Sequence, residues 1–485
     1  MSADSDLHAR LSAGFLARNG LLSYQDQAKA AAVIAGVEAD GIETIRVLFA
    51  DPHGILRGKT ITQEALVSAF TAGIRVPSTL LLKDTAQRTV FPVWAEDGPA
   101  PMRGAGDVVL APVPDTFRVL PWSPHSALIH CGVVETSGVP VSFAARSVLQ
   151  HAMDALADRG LRAVMGLEVE FQIFQVIDPA LEHADTTMPP QPPRTRALTQ
   201  GYQYLSETRY GEVEDILDLL RCTAQDFGMP VRSVEIEMGP SQFEFTFAPA
   251  DPMSVADMAV NFRTLVKEVC HRKGLHASFM AKPNLPNAAA NGWHIHQSIS
   301  DPEGNNLFAP EQGETLSPLA SAWIAGLLEH AAASCIATTP TVNGYKRYKP
   351  YELAPNRIGW GTDNRGAMVR ALMDVGDPAS RVENRVADST ANPYFALAFQ
   401  ILSGLDGLTK GLNAPAPLTR PYDDGAELLP TSLLEAIGHF EASPLYRDML
   451  GDDFVDYLST LKRAEWERYA MTVSDWEQTE YFSTF

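Results

Sequence analysis

The chain has 485 residues, with 38 Lys and Arg against 59 Asp and Glu, giving a formal net charge of −21 at pH 7. A surface of that sign repels polyanions, which excludes nucleic acid and anionic membrane as principal partners. A hydrophobic share of 45% with 20% charged residues excludes a disordered chain and permits a large core.

Length alone favours two or three domains. The first 35 or so residues read as helical, with apolar residues at helical spacing over 28–37. A strand-like run, TIRVLF at 44–49, ends at the turn residues Asp51-Pro52-His53-Gly54 and resumes at Ile55-Leu56, a hairpin signal. Proline-rich text over 112–124, and again at Pro140, marks a boundary between a small N-terminal domain, taken as 1–135, and a remainder of 136–485. Residues 178–201, which include PPQPP, read as a surface loop. Helices are expected over 144–159, 212–227, 253–273, 317–337 and 392–404, separated by short strands. The alternation is irregular and both G-x-G-x-x-G and the P-loop pattern are missing, which argues against a doubly wound nucleotide-binding fold. Four scattered cysteines without a C-x-x-C pair signal neither a disulfide framework nor a structural zinc site. The apolar stretch 323–337 is interrupted by Glu329 and His330 and is too short to span a bilayer. With no secretory signal pattern at the N-terminus, a soluble cytoplasmic protein is expected.

Side chains alternate faces along a strand, so residues at i and i+2 share a side. In GLEVEFQIF at 166–174 that rule sets Glu168 and Glu170 on one face, with Leu167, Val169 and Phe171 on the other. The run VEIE at 234–237 repeats the arrangement and is followed, after a turn, by QFEF with Glu244. WHIHQS places His294, His296 and Ser298 on one face, and RVENR at 381–385 alternates charge. One such strand is most simply a solvent-facing one; four from separate places point to a site. Clustered carboxylates are costly unless a cation compensates them. Glutamate oxygens with an imidazole suit Mg²⁺ or Mn²⁺ rather than zinc. Magnesium in enzymes usually accompanies phosphate, and Arg347, Arg365, Arg370, Arg381 and Arg385 supply forked donors for phosphate and carboxylate oxygens.

These motifs, in order GLEVEF, EMGPSQFEF, NGWHIHQS, NGYKRY, DNRGAMVR and RVENRVADSTANPY, resemble the glutamine synthetase superfamily from about Thr44 onward. The resemblance implies an α+β fold, with an N-terminal β-grasp domain and a catalytic domain whose antiparallel sheet lines the active site. It implies two or three Mg²⁺ or Mn²⁺ ions per site, one held by Glu170, Glu237 and Glu244 and another by Glu168, His294 and Glu383. His296, Ser298 and Arg381 match ATP-contacting positions, while Arg347, Arg385 and Gly292 match glutamate-binding ones. Arg365 and Arg370 match the pair that neutralises the phosphoryl group in flight, and Asp51 the aspartate that enters the neighbouring subunit's site to bind and deprotonate the amine. The family also implies a homo-oligomer with sites between adjacent subunits, as hexameric rings stacked into a dodecamer.

The chain departs from the ammonium-using pattern in two places. AANGWH at 289–294 replaces the family's N-G-S-G-M-H, setting Trp293 beside a metal ligand, and the flap at 346–355 shifts the spacing of Glu352, its candidate closing carboxylate. An ammonium pocket needs several converging acceptors, whereas an alkyl or aryl amine needs apolar walls. Trp293 is therefore assigned to an amine pocket, with core packing the alternative for a strand tryptophan, and by resemblance Tyr204 falls near a family tyrosine lining that pocket. The resemblance is strongest to the γ-glutamylamide-forming branch: an ATP-dependent ligase of L-glutamate with an organic amine. An ammonium-using glutamine synthetase is the runner-up, and a catalytically silent structural or regulatory family member the third reading.

Overall fold

The computed structural model describes residues 3–95, 100–349, 353–423 and 425–485. Three helices, Ala3–Ala13, Phe15–Arg18 and Tyr24–Ala39, precede the first sheet; the third is capped by Ser23, whose side chain accepts from the Asp26 amide. The expected hairpin forms as β1 (Thr44–Ala50) and β2 (Leu56–Thr62), antiparallel, with Ala50 opposite Leu56. It is joined by β3 (Ile74–Pro77), β4 (Asp107–Pro112), β5 (Arg118–Val119) and β6 (Ser126–Glu135) in the order β2-β1-β6-β4-β3, with β5 also on β6. The β1–β6 pair is parallel and the others antiparallel. The proline-rich run at 112–124 does not separate two domains but connects β4 to β6 inside this sheet, where prolines fall at strand ends and turns that need no ladder N–H.

The second sheet is built from β7 (Arg162–Val176), β8 (Thr195–Ala197), β9 (Val231–Ile236), β10 (Gln242–Phe247), β11 (Leu275–Ser278), β12 (Trp293–Ser300), β13 (Trp360–Thr362), β14 (Val369–Leu372) and β15 (Arg381–Asn384). Its order is β13-β14-β15-β12-β7-β10-β9, with β8 and β11 also pairing with β7. Only β13–β14 is parallel, so the sheet is mixed where an antiparallel one was expected. Its apolar face follows from the alternation: Phe171, Phe243 and Phe245 are fully buried, and Phe171 and Phe245 pack on Phe262 of the helix Pro252–Arg272 with ring centroids 5.8 and 5.1 Å away.

Helices form at Ala145–Ala157, Glu207–Asp226, Pro252–Arg272 and Pro393–Lys410, within a few residues of expectation at most ends. The stretch expected as one helix over 317–337 breaks into Pro318–Glu329 and Ala331–Thr338, bent by 76° at His330, whose Nε2 lies 2.6 Å from Asp406 Oδ2. No single helix among the described residues is long and apolar enough to cross a membrane. Four C-terminal helices follow, Leu433–Glu441, Pro444–Leu450, Asp452–Ala470 and Asp475–Tyr481. The long one reaches back to the N-terminal part, with Tyr457 Oη donating to the Leu81 carbonyl (2.6 Å) and Arg468 pairing with Asp84 (2.5 Å).

Candidate active site

The polar face of the second sheet gathers the ionisable residues because directly opposed residues on paired strands point the same way. Across β9, β10 and β7 the register sets Glu235 opposite Glu244 and Glu244 opposite Glu170. Across β7 and β12 it sets Glu168 opposite His294; across β12, β15 and β14 it sets His296 opposite Glu383 and Glu383 opposite Arg370. Three carboxylates in one row across adjacent strands repel one another, and nothing in a pleated sheet by itself offsets that.

The chemistry shows the repulsion. Burial, and then the Glu170 charge, push Glu237 up to about 8 and Glu244 well above the ordinary carboxylate range. Glu168 behaves oppositely: although burial opposes it, His294 Nδ1 at 3.0 Å and His296 Nε2 at 2.9 Å hold its carboxyl well below the usual range. Glu383 is fully buried and also shifted down, against burial, by His294 and Arg385; Arg385 and Arg370 both pair with it, the latter at 3.0 Å. Oxygen and imidazole donors within 4.8 Å of one another form three overlapping trios: Glu170, Glu237, Glu244; Glu168, Glu244, His294; and Glu168, His296, Glu383. The first is the set expected from sequence. The second expected set, Glu168, His294 and Glu383, is not among them: His296 completes the trio with Glu168 and Glu383, while His294 joins Glu168 and Glu244 and lies 3.7 Å from Glu383. Oxygen-rich trios of this kind fit hard divalent ions, whose charge is what the Glu235–Glu244–Glu170 row requires.

A polar network behind the cluster fixes Glu170. Gln242 Nε2 donates to Glu170 Oε2 (3.0 Å) and the Ala290 carbonyl (2.7 Å), and the Gly292 amide donates to the same carboxylate oxygen (2.9 Å). Asn291 is tied by its Nδ2 to the Met280 carbonyl (2.7 Å) and Gln172 (3.0 Å). Gly292 is needed for space: a Cβ there would stand 3.0 Å from both Glu170 Oε1 and His294 Nε2. Gln242 and Asn291 are positioning residues that sequence reasoning missed, although both stand inside the quoted motifs. Glu235 was missed as a site residue too; its i, i+2 spacing to Glu237 was the available signal.

A sequence profile for the catalytic domain of glutamine synthetase matches residues 142–481. The chain belongs to the glutamine synthetase family. It is 36% identical to a gamma-glutamylanilide synthase from Acinetobacter sp, over 97% of this chain and 98% of that one. It is 32% identical to a glutamine synthetase from Halobacterium salinarum (94% and 96% covered) and 31% to a gamma-glutamylethanolamide synthetase from Streptomyces coelicolor (92% and 94%). Among solved structures it resembles a "GmaS/ADP complex" with a TM-score of 0.79, 27% identity and coverage of 93% and 99%.

In this glutamine synthetase family member the remaining expected residues divide into three groups. Arg381 Nε donates to His296 Nδ1 (3.1 Å), Ser298 follows on the same strand face, and Arg365 is exposed at the rim, its carbonyl accepting from Arg385 Nε (3.1 Å). Tyr204 stands at the same acidic rim: partial burial and the nearby Glu237 and Glu244 push its phenol up to about 12. Two residues lie apart from the carboxylate row. Arg347 is buried, donating to the Val386 carbonyl (3.0 Å) with Asp388 at 3.8 Å. Asp51 is 2% exposed in the β1–β2 turn, where it pairs with Arg57 (2.9 Å) and accepts from the His53 and Ile55 amides. One expectation is corrected: Trp293 does not face the cluster. It is opposite Val169 on the apolar side of β12 and is 3% exposed in the core, as alternation from His294 dictates. Glu352 lies outside the described residues.

The raised carboxyl groups have a measurable consequence. Between the ordinary value of 4.5 and about 8, folded metal-free protein keeps a proton on Glu237 that the unfolded chain has lost. Its stability therefore falls as pH rises through that window. A divalent ion displaces such protons. Titrating Mg²⁺ or Mn²⁺ at pH 7 in buffers of differing ionisation enthalpy is expected to show proton release; heats independent of buffer would contradict the assignment.

Proposed function

We propose that this glutamine synthetase family member is an ATP-dependent ligase that joins the γ-carboxylate of L-glutamate to an organic amine. The observation that carries the choice of amine is the 36% identity over nearly full length to a gamma-glutamylanilide synthase, with relatives named for ethanolamine and isopropylamine beside it. A carboxylate is a poor acyl donor, so its oxygen first attacks the terminal phosphorus of ATP, giving γ-glutamyl phosphate and ADP. The neutral amine nitrogen then attacks the acyl carbon, phosphate leaves, and a base takes the amine proton.

The residues divide this work. Two or three Mg²⁺ or Mn²⁺ ions held by Glu170, Glu237 and Glu244, and by Glu168, Glu383 and the histidines, would supply Lewis-acid neutralisation of phosphate charge. His296, Ser298 and Arg381 line the strand positions assigned to ATP. Arg370, anchored by Glu383 and Asp363, and Arg365 at the rim are assigned to the transferring group, for which they would supply cationic forks. Gly292, Arg385 and Arg347 are assigned to glutamate, and Tyr204 to the amine side. Asp51 makes no hydrogen bond to the carboxylate cluster of its own chain among the described residues, which fits the reading that it serves the site of an adjacent subunit in stacked hexameric rings. Residues 1–135 are read as a β-grasp domain, supported by the hairpin and the parallel β1–β6 pair, and 136–485 as the catalytic domain.

Phosphate release should be measured with glutamate, ATP and Mg²⁺ against ammonium, ethanolamine, isopropylamine, putrescine and aniline. At least one organic amine is expected to exceed ammonium in kcat/KM by about tenfold, equivalent to ~1.4 kcal/mol of differential transition-state binding. Ammonium outperforming every organic amine would return the protein to the glutamine-forming reaction.

A further inference from the structure

A cavity of about 370 Å³ lies between the turn that joins β1 and β2, the helix Pro252–Arg272, and the C-terminal helix Asp452–Ala470. Its described lining carries five nitrogen bases, His53, Arg263, Lys267, His276 and Lys462, and no carboxylate. In a chain of net charge −21, a pocket whose cationic lining is Arg263, Lys267 and Lys462, with burial holding His53 and His276 towards the neutral form and no carboxylate beside them, is a selective feature, since the low-dielectric walls focus that charge.

Lys462 is the decisive residue. It is 2% exposed and lines the cavity, and its ammonium has no hydrogen bond or ion pair among the described residues. A buried ammonium without a direct partner is costly: burial lowers its proton affinity, and the charges of Glu465, Asp388 and Asp51, none of which pairs with it, offset that only in part. Arg263 spends one arm on the Ser389 and Ala391 carbonyls (3.1 and 2.9 Å), and burial lowers its pKa to about 10. The remaining wall is partly apolar, with Leu56 and Phe279.

We infer that this cavity binds a small anion with one or two oxyanion groups on a short stem, a dicarboxylate or a phosphate ester, with Lys462 as its central contact. The volume stands at the small end of the range for small-molecule sites. The site is separate from the carboxylate row, and an occupant would touch the turn that carries Asp51. The binding itself does not depend on the ligase reading.

The test uses the full-length protein freed of divalent metal. Thermal midpoint and heat of binding are followed while titrating potassium phosphate or potassium succinate, with potassium chloride at matched ionic strength as reference. At least one probe is expected to raise the midpoint saturably. Lys462→Met should weaken that probe at least tenfold and, having lost a buried charge without a direct partner, should melt higher than the parent without anion. Arg370→Gln, in the phosphoryl region, should leave binding unchanged. If Lys462→Met does not fold, Lys267→Gln, at an exposed lining position, replaces it and should weaken binding at least threefold. No binding beyond chloride, equal binding by the lysine variants, or loss of binding in Arg370→Gln would each overturn the proposal.

Discussion

Replacing Glu244 by glutamine is expected to cut kcat/KM by on the order of 10³ while making the metal-free protein more stable at pH 8 to 9. The two effects share one cause. Glu244 stands between Glu235 and Glu170 in the row across β9, β10 and β7, and its carboxyl is already driven towards the neutral form by burial and by Glu170. Glutamine copies that neutral form in shape and donor geometry. Above the ordinary carboxylate range the unfolded chain carries this charge while the folded site resists it, so the substitution removes a cost of about 1 kcal/mol or more between opposed strand residues. With metal and ATP present the same change removes an anionic oxygen from two of the three donor trios. Loss of charge stabilisation in the transferring group on that scale corresponds to about 4 kcal/mol of barrier. Thermal melts with chelator and phosphate-release kinetics in parallel check the pair. A variant that melts lower without metal, or that keeps near-parental turnover, would show that the row is not a metal site.

Gly292→Ala is expected to leave the fold almost untouched and weaken metal affinity by about 10–100-fold, the usual scale for disturbing the groups that orient metal ligands. The new methyl carbon meets Glu170 Oε1 and His294 Nε2 at 3.0 Å, which are the ends of side chains able to swing aside. Folding therefore costs little. Those side chains belong to two different trios, so the movement that relieves the contact disturbs the geometry a hard ion needs. Metal titration followed by intrinsic fluorescence or calorimetry gives the affinity, and circular dichroism the fold. An unchanged affinity would place Gly292 outside the metal region and leave it only the glutamate-binding role expected from sequence.

Local pattern determined a good deal by itself. The i, i+2 spacing in GLEVEF put Glu168 and Glu170 on one side and Phe171 on the other, and the hairpin at Asp51-Pro52-His53-Gly54 was legible from its turn residues. These are properties of a short chain segment with a period of two, so no distant partner is needed to specify them. The resemblance of ordered motifs supplied the family and the trio Glu170, Glu237, Glu244. The departure from the family motif suggested Trp293 as an apolar wall for the amine, although the alternation that faces His294 to the cluster must turn its neighbour into the core.

The tertiary structure decided what depends on register between strands remote in sequence. That Glu235 lies opposite Glu244, and Glu383 opposite both His296 and Arg370, follows from how β9, β10, β12, β14 and β15 pair. One residue of slip would reverse every face, so no local rule fixes it. The break at His330 likewise answers to Asp406 on another helix, and the basic cavity exists only because Lys462, near the C-terminus, is folded against the turn after Asp51. Sequence thus settled the donor types and the −21 balance. Only packing concentrated a row of carboxylates on one sheet face and, separately, a lining of bases in an otherwise acidic protein, because the energy of a charge is set by its neighbours in space.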